Sequence, residues 1–291
     1  MFFMNFSIII PTFQNYRYLK LCVESIFKNS KYNHEIIIHL NGHDDKSMNL
    51  ISENKIIFSQ SDQNLGLCTG VNLASKKATK SYILYAHDDM YFLPDWDYYL
   101  EQEIKLINHN KFYLSLTQIS YTGAVKGNIQ HIQFDCGDKI ENFNEKKLLD
   151  NYEKFQFNDL QGSHWAPHLI HKELWDKIGG FSEEFDPGFA SDPDLNMKLW
   201  KEGVRIFKSV SKSRVYHFGS LTTRKNAKIT RNNGKKTFLI KWGITIELFV
   251  KHYLRRGTVY KEPLIEPKKN MFYYFNLIES KIKYLIVKFF K

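Results

Sequence analysis

The sequence predicts an α/β protein with a mostly parallel central sheet flanked by helices. Phe6–Thr12 (FSIIIPT) is an unbroken β-branched run ended by Pro11, the pattern of a strand buried on both faces. Tyr16–Asn29 follows with Leu19, Val23, Ile26 and Phe27 at helical spacing. The same alternation then continues through the first 120 residues or so as β-α-β-β-α-β, which favours parallel strands with helical crossovers.

Taken in order, the next elements are a strand at Glu35–Leu40, a turn at Asn41-Gly42, and a strand near Lys55–Ser59. A helix from Leu67 to Ala78 leads into a strand at Ser81–Ala86. Phe112–Ser120 is strand-like and precedes a polar stretch reaching Asp159. The block from Gly162 to Gly219 holds a helix start at Lys172, a break at Gly179-Gly180, a helix at Asp192–Lys201 and a strand at Val204–Val210. Lys235–Arg256 and Met271–Lys291 read as helices with aromatic and basic residues interleaved. The expected division is a catalytic domain over residues 1–220 and a basic, aromatic, mainly helical extension over 221–291.

Composition narrows the chemistry. With 291 residues, 43% of them hydrophobic, the chain can bury a full core. Cys22, Cys68 and Cys136 are far apart and form no CxxC pair, so neither a disulfide framework nor a thiolate zinc site is indicated. The opening MFFMNFSIII has no basic flank and runs straight into a strand, unlike a signal peptide. No stretch approaches the ~20 apolar residues of a membrane span, so a cytoplasmic protein is expected. The net charge of +10 is unevenly placed: residues 201–291 carry 22 Lys and Arg against 5 Asp and Glu. That tail points to anionic partners, while the absence of any helix-turn-helix, zinc or RNA-sheet signature argues against nucleic acid.

Ligands of such sheets bind beyond the carboxyl ends of the strands, which directs attention to Thr12–Asn15, Asn41–Asp45 and His87–Asp89. Adjacent carboxylates at a strand tip, Asp88 and Asp89, are costly to hold together without a cation, and an oxygen-rich site suits Mg²⁺ or Mn²⁺. A solvated Asp-Asp turn accounts for the pair equally well on sequence alone. Asp192-Pro193-Asp194 opens a helix, where the dipole stabilises a carboxylate, and Asp192 as a simple N-cap is the plainer explanation. His217, in RVYHFGS, becomes a ligand candidate only if the fold returns it to the Asp pair.

Together, SIIIPTFQNYRYLKLCVESI, EIIIHLNGHDD, NLGLCTGVNLASKKATKSYILYAHDDMYFLPDWD and IGGFSEEFDPGFASDPDLNMKLWKEG resemble the family 2 glycosyltransferases, inverting enzymes of the GT-A fold, across roughly residues 5–220. The resemblance implies that Asp89 is the last Asp of the DxD motif and binds the donor diphosphate through a metal, with Asp88 and His87 beside it. It implies that Pro11, Thr12 and Asn41 flank the nucleoside, and that Asn64, Gly66 and Asn72 line the donor site. It makes Asp192 the catalytic base and His217 the residue that completes the metal coordination. Trp165 and His168 fall on the acceptor side of the cleft, with Asp194 as a further candidate there. The chain departs from the family at Leu40-Asn41, His87 and Ser191, where acidic residues are common. The first two bear on which base is bound, and the third leaves one base instead of an acidic pair.

The function so implied moves a sugar from a nucleotide-sugar donor to a hydroxyl of a glycan or lipid-linked acceptor with inversion, in surface-glycan biosynthesis. A UDP-sugar is the expected donor, with GDP- and dTDP-sugars as alternatives, and Mn²⁺ or Mg²⁺ the cofactor. Two other readings compete. A nucleotidyltransferase needs a phosphate-gripping loop that PTFQNYRYLK does not supply. A catalytically silent sugar-nucleotide or glycan-binding relative is suggested by Leu40, His87 and Ser191 but opposed by the joint presence of Asp89, Asp192 and His217. In the tail, Met271, Phe275, Ile278, Ile282, Leu285, Ile286 and Phe289 share one helical face, with Lys281, Lys283, Lys288 and Lys291 beside it. That face suits either an anionic membrane surface, placing the protein peripherally at the inner face, or packing on the catalytic domain.

Overall fold

The structure, a computed structural model, describes residues 4–121, 123, 130–162, 165–219 and 232–289. Strands β1 (Phe6–Thr12), β2 (Glu35–Asn41), β3 (Ile57–Ser61) and β4 (Tyr82–Tyr85) form a parallel half-sheet in the order β3-β2-β1-β4. Helices α1 (Tyr16–Asn29), α2 (Asp45–Glu53) and α3 (Leu67–Ser75) provide the crossovers. The order, the parallel register and the flanking helices follow the sequence pattern. Within α1, Leu19, Val23 and Ile26 are buried as their spacing predicts, but Phe27 is 52% exposed, because Cys22 and Ser25 complete the inward face instead.

Beyond β4 the sheet continues through β9 (His168–His171), β6 (Phe112–Ser120), β10 (Ile206–His217) and β5 (Met90–Phe92). Two short strands, β7 (Ile132–Gln133) and β8 (Leu160–Gln161), pair with β6 and β10. β9 runs antiparallel between β4 and β6, so the second half is mixed. β10 is longer than the expected Val204–Val210. Its register against β6 shifts between Val210 and Arg214, and this bulge takes up the polar Ser211-Lys212-Ser213 that reads as a strand end. The strand then resumes and carries on to His217.

Helices α4 (Trp96–Ile107), α5 (Glu145–Leu149), α6 (Lys172–Ile178) and α7 (Ser191–Lys201) complete the globular part. The C-terminal extension begins with α8 (Gly234–Trp242) and α9 (Ile246–Leu248), the latter continued by a wide turn over Phe249–Tyr253. The expected single helix is thus interrupted at Gly243. Phe238, Phe249, Leu254 and Leu264 are buried in the same hydrophobic core as the sheet, so this part of the extension belongs to the main body. The last helix, α10 (Met271–Phe289), buries only Tyr273 and Ser280.

One loop ties the two halves together. Asp186, just before α7, accepts hydrogen bonds from the backbone N–H groups of Cys68 (2.7 Å) and Thr69 (3.2 Å) and from the Thr69 hydroxyl (2.6 Å). It therefore satisfies the free donors at the start of α3, although it is distant in sequence. Gly66, which precedes that helix, has φ +98° and ψ 174°, a region open essentially to glycine, and an added Cβ would lie 2.2 Å from Asp186 Oδ1. Asn72 grips the same region: its Nδ2 donates to Phe181 O (2.8 Å) and its Oδ1 accepts from Phe181 N (2.9 Å). Asp186→Ala should lower stability by about 1 kcal/mol, the usual value of a lost helix cap. Gly66→Ala should cost more, because it adds strain and a clash. Thermal melts of the two variants check this ranking; equal melting temperatures would contradict it.

Candidate active site

Two aspartates reach the site because β4 stops at Tyr85 and the chain turns at once towards β5. Asp88 and Asp89 are only 7% and 2% exposed. The parallel pairing of β1 with β4 places Thr12 at the same strand end, and its hydroxyl donates to Asp88 Oδ2 at 2.6 Å. Burial, and then the adjacent Asp89 carboxylate, pushes Asp88 up to about 7. The pair is held where a second negative charge is expensive, a condition that a cation would relieve.

His217 completes the cluster through sheet topology. The antiparallel pairing of β10 with β5 sets His217 opposite Met90, and Phe218 N donates to Asp89 O at 3.1 Å. His217 Nε2 lies 3.2 Å from Asp89 Oδ1, and His87 Nδ1 lies 3.9 Å from the same oxygen. One ligand atom from each of His87, Asp89 and His217 falls within 4.8 Å of the others. Burial, and then the neighbouring His217, lowers His87 to about 4, which keeps its imidazole neutral and its lone pair available.

The tautomer of His217 follows from its neighbour. Gln118, on β6, donates through its Nε2 to the carbonyl of Ala166, so its Oε1 must face His217 Nδ1, 3.0 Å away. Nδ1 then carries the proton, and the Nε2 lone pair points at Asp89. This Nε2 is buried and has no hydrogen-bond partner among the described residues. Two neutral imidazoles and a carboxylate, one imidazole oriented by an outer amide, are a fitting donor set for a divalent cation.

Asp192 lies in the first turn of α7, and Ala190, not Asp192, occupies the N-cap position. Its carboxylate is therefore not committed to capping: Oδ1 is buried without a hydrogen-bond partner among the described residues. Burial pushes Asp192 up to about 7, opposed by the positive charge of Arg256. Tyr85, buried between the halves, lies within electrostatic reach of both Asp88 and Asp192.

The remaining sequence candidates divide by role. Pro11, partly exposed, sits beside Thr12 at the end of β1. Asn41 Oδ1 accepts from Leu65 N (3.1 Å), and Asn64 Oδ1 from Gly66 N (2.9 Å), so both shape the loop entering α3. With Asn72 engaged at Phe181, the N-x-G…N pattern acts here as scaffolding for the donor-side loop. His168 is fully buried in the sheet, with Nδ1 3.1 Å from Trp165 O, and burial lowers it to about 3. It supports the Trp165 turn and offers no open hydrogen bond to an acceptor. Asp194 is likewise fully buried and accepts from Ser182 Oγ (2.6 Å) and Trp242 Nε1 (2.8 Å), with Lys241 Nζ at 3.0 Å. It fastens α8 to α7. Trp165 remains partly exposed, and one face of its ring is covered by the Arg256 guanidinium at 3.9 Å.

Two site residues escape sequence reasoning. Gln118 lies in an otherwise ordinary buried strand. Arg256 lies in Arg255-Arg256-Gly257, which reads as the end of a helix, and no periodicity signals that the extension folds back.

The solved structures most usefully compared share the fold. The chain superposes on S. aureus TarS 1-349 with TM-score 0.53 at 16% identity, covering 74% of this chain and 60% of that one. A structure of TarS 1-349 in complex with UDP gives TM-score 0.53 at 17% identity, covering 73% and 60%. GalNAc-T7 with UDP, GalNAc and Mn²⁺ gives TM-score 0.59 at 13% identity, covering 86% of this chain and 50% of that one. The chain thus spans about half to three fifths of the length of these neighbours, and the fold is of the GT-A type. A comparison with curated protein sequences returned no match. The sequence model described as Glycosyl transferase family 2 matches residues 7–178, more than half of the chain, and this protein belongs to that family.

Proposed function

We propose that the protein transfers a sugar from a nucleotide-sugar donor, a UDP-sugar first among them, to a hydroxyl of a glycan or lipid-linked acceptor with inversion, in surface-glycan biosynthesis. The observation that carries this is the pairing of a neutral two-histidine, one-carboxylate cluster with a separate buried carboxylate, Asp192, whose Oδ1 is unengaged. UDP in structures of both neighbours, and Mn²⁺ in that of GalNAc-T7, support the choice of donor and cofactor.

His87, Asp89 and His217 would hold a divalent cation, Mn²⁺ or Mg²⁺. Such an ion supplies Lewis-acid stabilisation of the departing diphosphate. Thr12 holds Asp88 in place behind Asp89, and Pro11 and Asn41 shape the nucleoside end. Asp192 accepts the proton of the acceptor hydroxyl as that oxygen attacks the anomeric carbon from the face opposite the diphosphate. The new C–O bond forms as the bond to the diphosphate breaks with its electron pair, so one displacement inverts the configuration.

Where the acceptor resides follows from α10. Its partly or fully buried positions, Tyr273, Asn276, Leu277, Ser280, Tyr284 and Val287, form one stripe against the body. On the opposite side Phe275, Ile278, Ile282 and Leu285 are 50–69% exposed, and Met271, Ile286 and Phe289 extend that apolar face. At 100° per residue Lys281 and Lys288 fall along one edge of it and Lys283 along the other; Lys291 lies outside the described residues. Lysines bordering an exposed apolar face complement an anionic lipid surface, each worth about 1 kcal/mol. No described helix is long and apolar enough to cross a membrane. The protein would therefore work peripherally, at the cytoplasmic face, beside a lipid-linked acceptor.

Three outcomes test these readings. Asp89→Ala should abolish Mn²⁺-dependent UDP binding in calorimetry while the thermal melt stays cooperative; unchanged affinity would place the metal elsewhere. Asp192→Asn should keep UDP binding but lose transfer by about 10²–10⁴-fold. Because only the carboxylate accepts the proton, wild-type activity should fall as the pH drops through about 7, and near-normal turnover of the amide variant would remove Asp192 from the mechanism. Glutamates at Ile278, Ile282 and Leu285 should abolish sedimentation with phosphatidylglycerol vesicles at low salt and spare UDP binding. Wild-type protein that ignores those vesicles would end the membrane reading.

A further inference from the structure

We infer that Arg256, carried into the transfer site by the C-terminal extension, is a positioning residue of the reaction: it fixes the Trp165 ring beside the base and sets a positive charge against Asp192. The inference rests on the reading of Asp192 as the base and extends the site beyond residues 7–178, the part matched by the family.

The backbone around Arg256 is held on both sides. Its own N–H donates to Val250 O (3.2 Å), closing the wide turn after α9. Beyond it, Gly257 N donates to Gln161 O (3.0 Å), Gln161 N to Thr258 O (2.7 Å) and Tyr260 N to Asp159 O (2.8 Å). Residues 257–260 thus lie along 159–161 as an extra ladder, with Leu160 bridged to Val259. At Gly162, φ +88°, the two backbones touch: an added Cβ would lie 2.6 Å from Arg256 Cα. Only a glycine allows this approach, which aims the Arg256 side chain inward over the flat face of Trp165, 3.9 Å from its ring.

A guanidinium turned inward needs a compensating charge. Asp192 provides it, and each group steadies the charged form of the other. Arg256 is lowered to about 10 by burial and so stays charged at neutral pH. The other titratable groups facing this pair are Cys68 from α3, Tyr85 from β4, Tyr113 from β6, and His131 beside β7. At neutral pH the first three are uncharged and burial lowers His131 to about 4, which leaves Arg256 as the fixed cation of the group. A base must be ionised before it can take a proton, and a carboxylate this dry loses its proton only with such help. Lysine would keep the charge but not the planar stacking.

The test is a ¹³C-carboxylate NMR titration of the full-length apo protein, with the Asp192 resonance assigned by difference from Asp192→Asn. The wild-type midpoint should lie at about 7. Arg256→Met should raise it by about one pH unit, the lower end of what an adjacent opposite charge contributes. Arg256→Lys should restore it towards the wild-type value. In sugar-transfer assays the acid limb of kcat should move in the same direction, while Mn²⁺-dependent UDP affinity stays constant. If Arg256→Met does not fold, Arg256→Gln serves the same purpose. An Asp192 midpoint that does not move, or a loss of activity with an unmoved acid limb, overturns the inference by assigning Arg256 to packing alone. A wild-type protein with the expected titration but no turnover of UDP-sugars would count against the proposed function and leave the Arg256–Asp192 coupling standing.

Discussion

Everything at the centre of this molecule answers to one constraint: two adjacent carboxylates, Asp88 and Asp89, are kept almost entirely out of water. Such a pair is tolerated only where the surroundings supply donors, lone pairs and room for positive charge. The strand order provides them. β1 lies next to β4 and brings the Thr12 hydroxyl to Asp88. β10 runs past a polar bulge and pairs with β5 far enough to bring His217 to Asp89. Had β10 stopped at its bulge, the imidazole would be missing and the aspartate pair would have no ligand opposite it. The long second strand and the hairpin-like return to β5 are thus demands of the site as much as of the core.

The parallel half of the fold was legible because each of its strands is a dense apolar run and each crossover has a simple helical period. Ile8, Ile9, Ile37 and Leu84 are all fully buried, as unbroken hydrophobic strands require. The mixed half was not legible. β9 is only four residues long and begins and ends in histidine, so nothing in HLIH separates a central strand from a loop. β10 was cut short by Ser211-Lys212-Ser213, whose bulge cannot be told from a strand end without the partner strand. At the site, Asp89, Asp192 and His217 carried recognisable context, whereas Gln118 and Arg256 act through distant contacts that leave no local trace. Asn64, Gly66 and Asn72 show the reverse case: a recognisable pattern whose side chains build the loop that borders the ligand.

The C-terminal extension has two characters. Up to Leu264 it supplies core side chains and the inward-facing Arg256. From Met271 onward it makes a narrow, mainly polar attachment: Ser280 Oγ accepts from Thr245 N, Lys281 Nζ donates to Gly243 O, and His252 meets Asn276. Hydrogen bonds and small contacts of this kind hold a helix in place without covering its apolar side. Basic charge concentrated in this region therefore serves the periphery of the molecule, while the acidic groups concentrate at the strand ends.

The loop from Asp186 to Asp192 caps a helix of the first half at one end and begins the helix of the second half at the other. Six positions along one chain thus join the seat of the nucleotide to the group that handles the acceptor. In a lineage that alters its donor, changes around Gly66 and Thr69 cannot drift independently, since the cap and the base would shift with them. Co-variation between the loop entering α3 and the stretch from Asp186 to Asp192 is the expected mark of that linkage, and the two halves should be inherited as one block when such chains recombine.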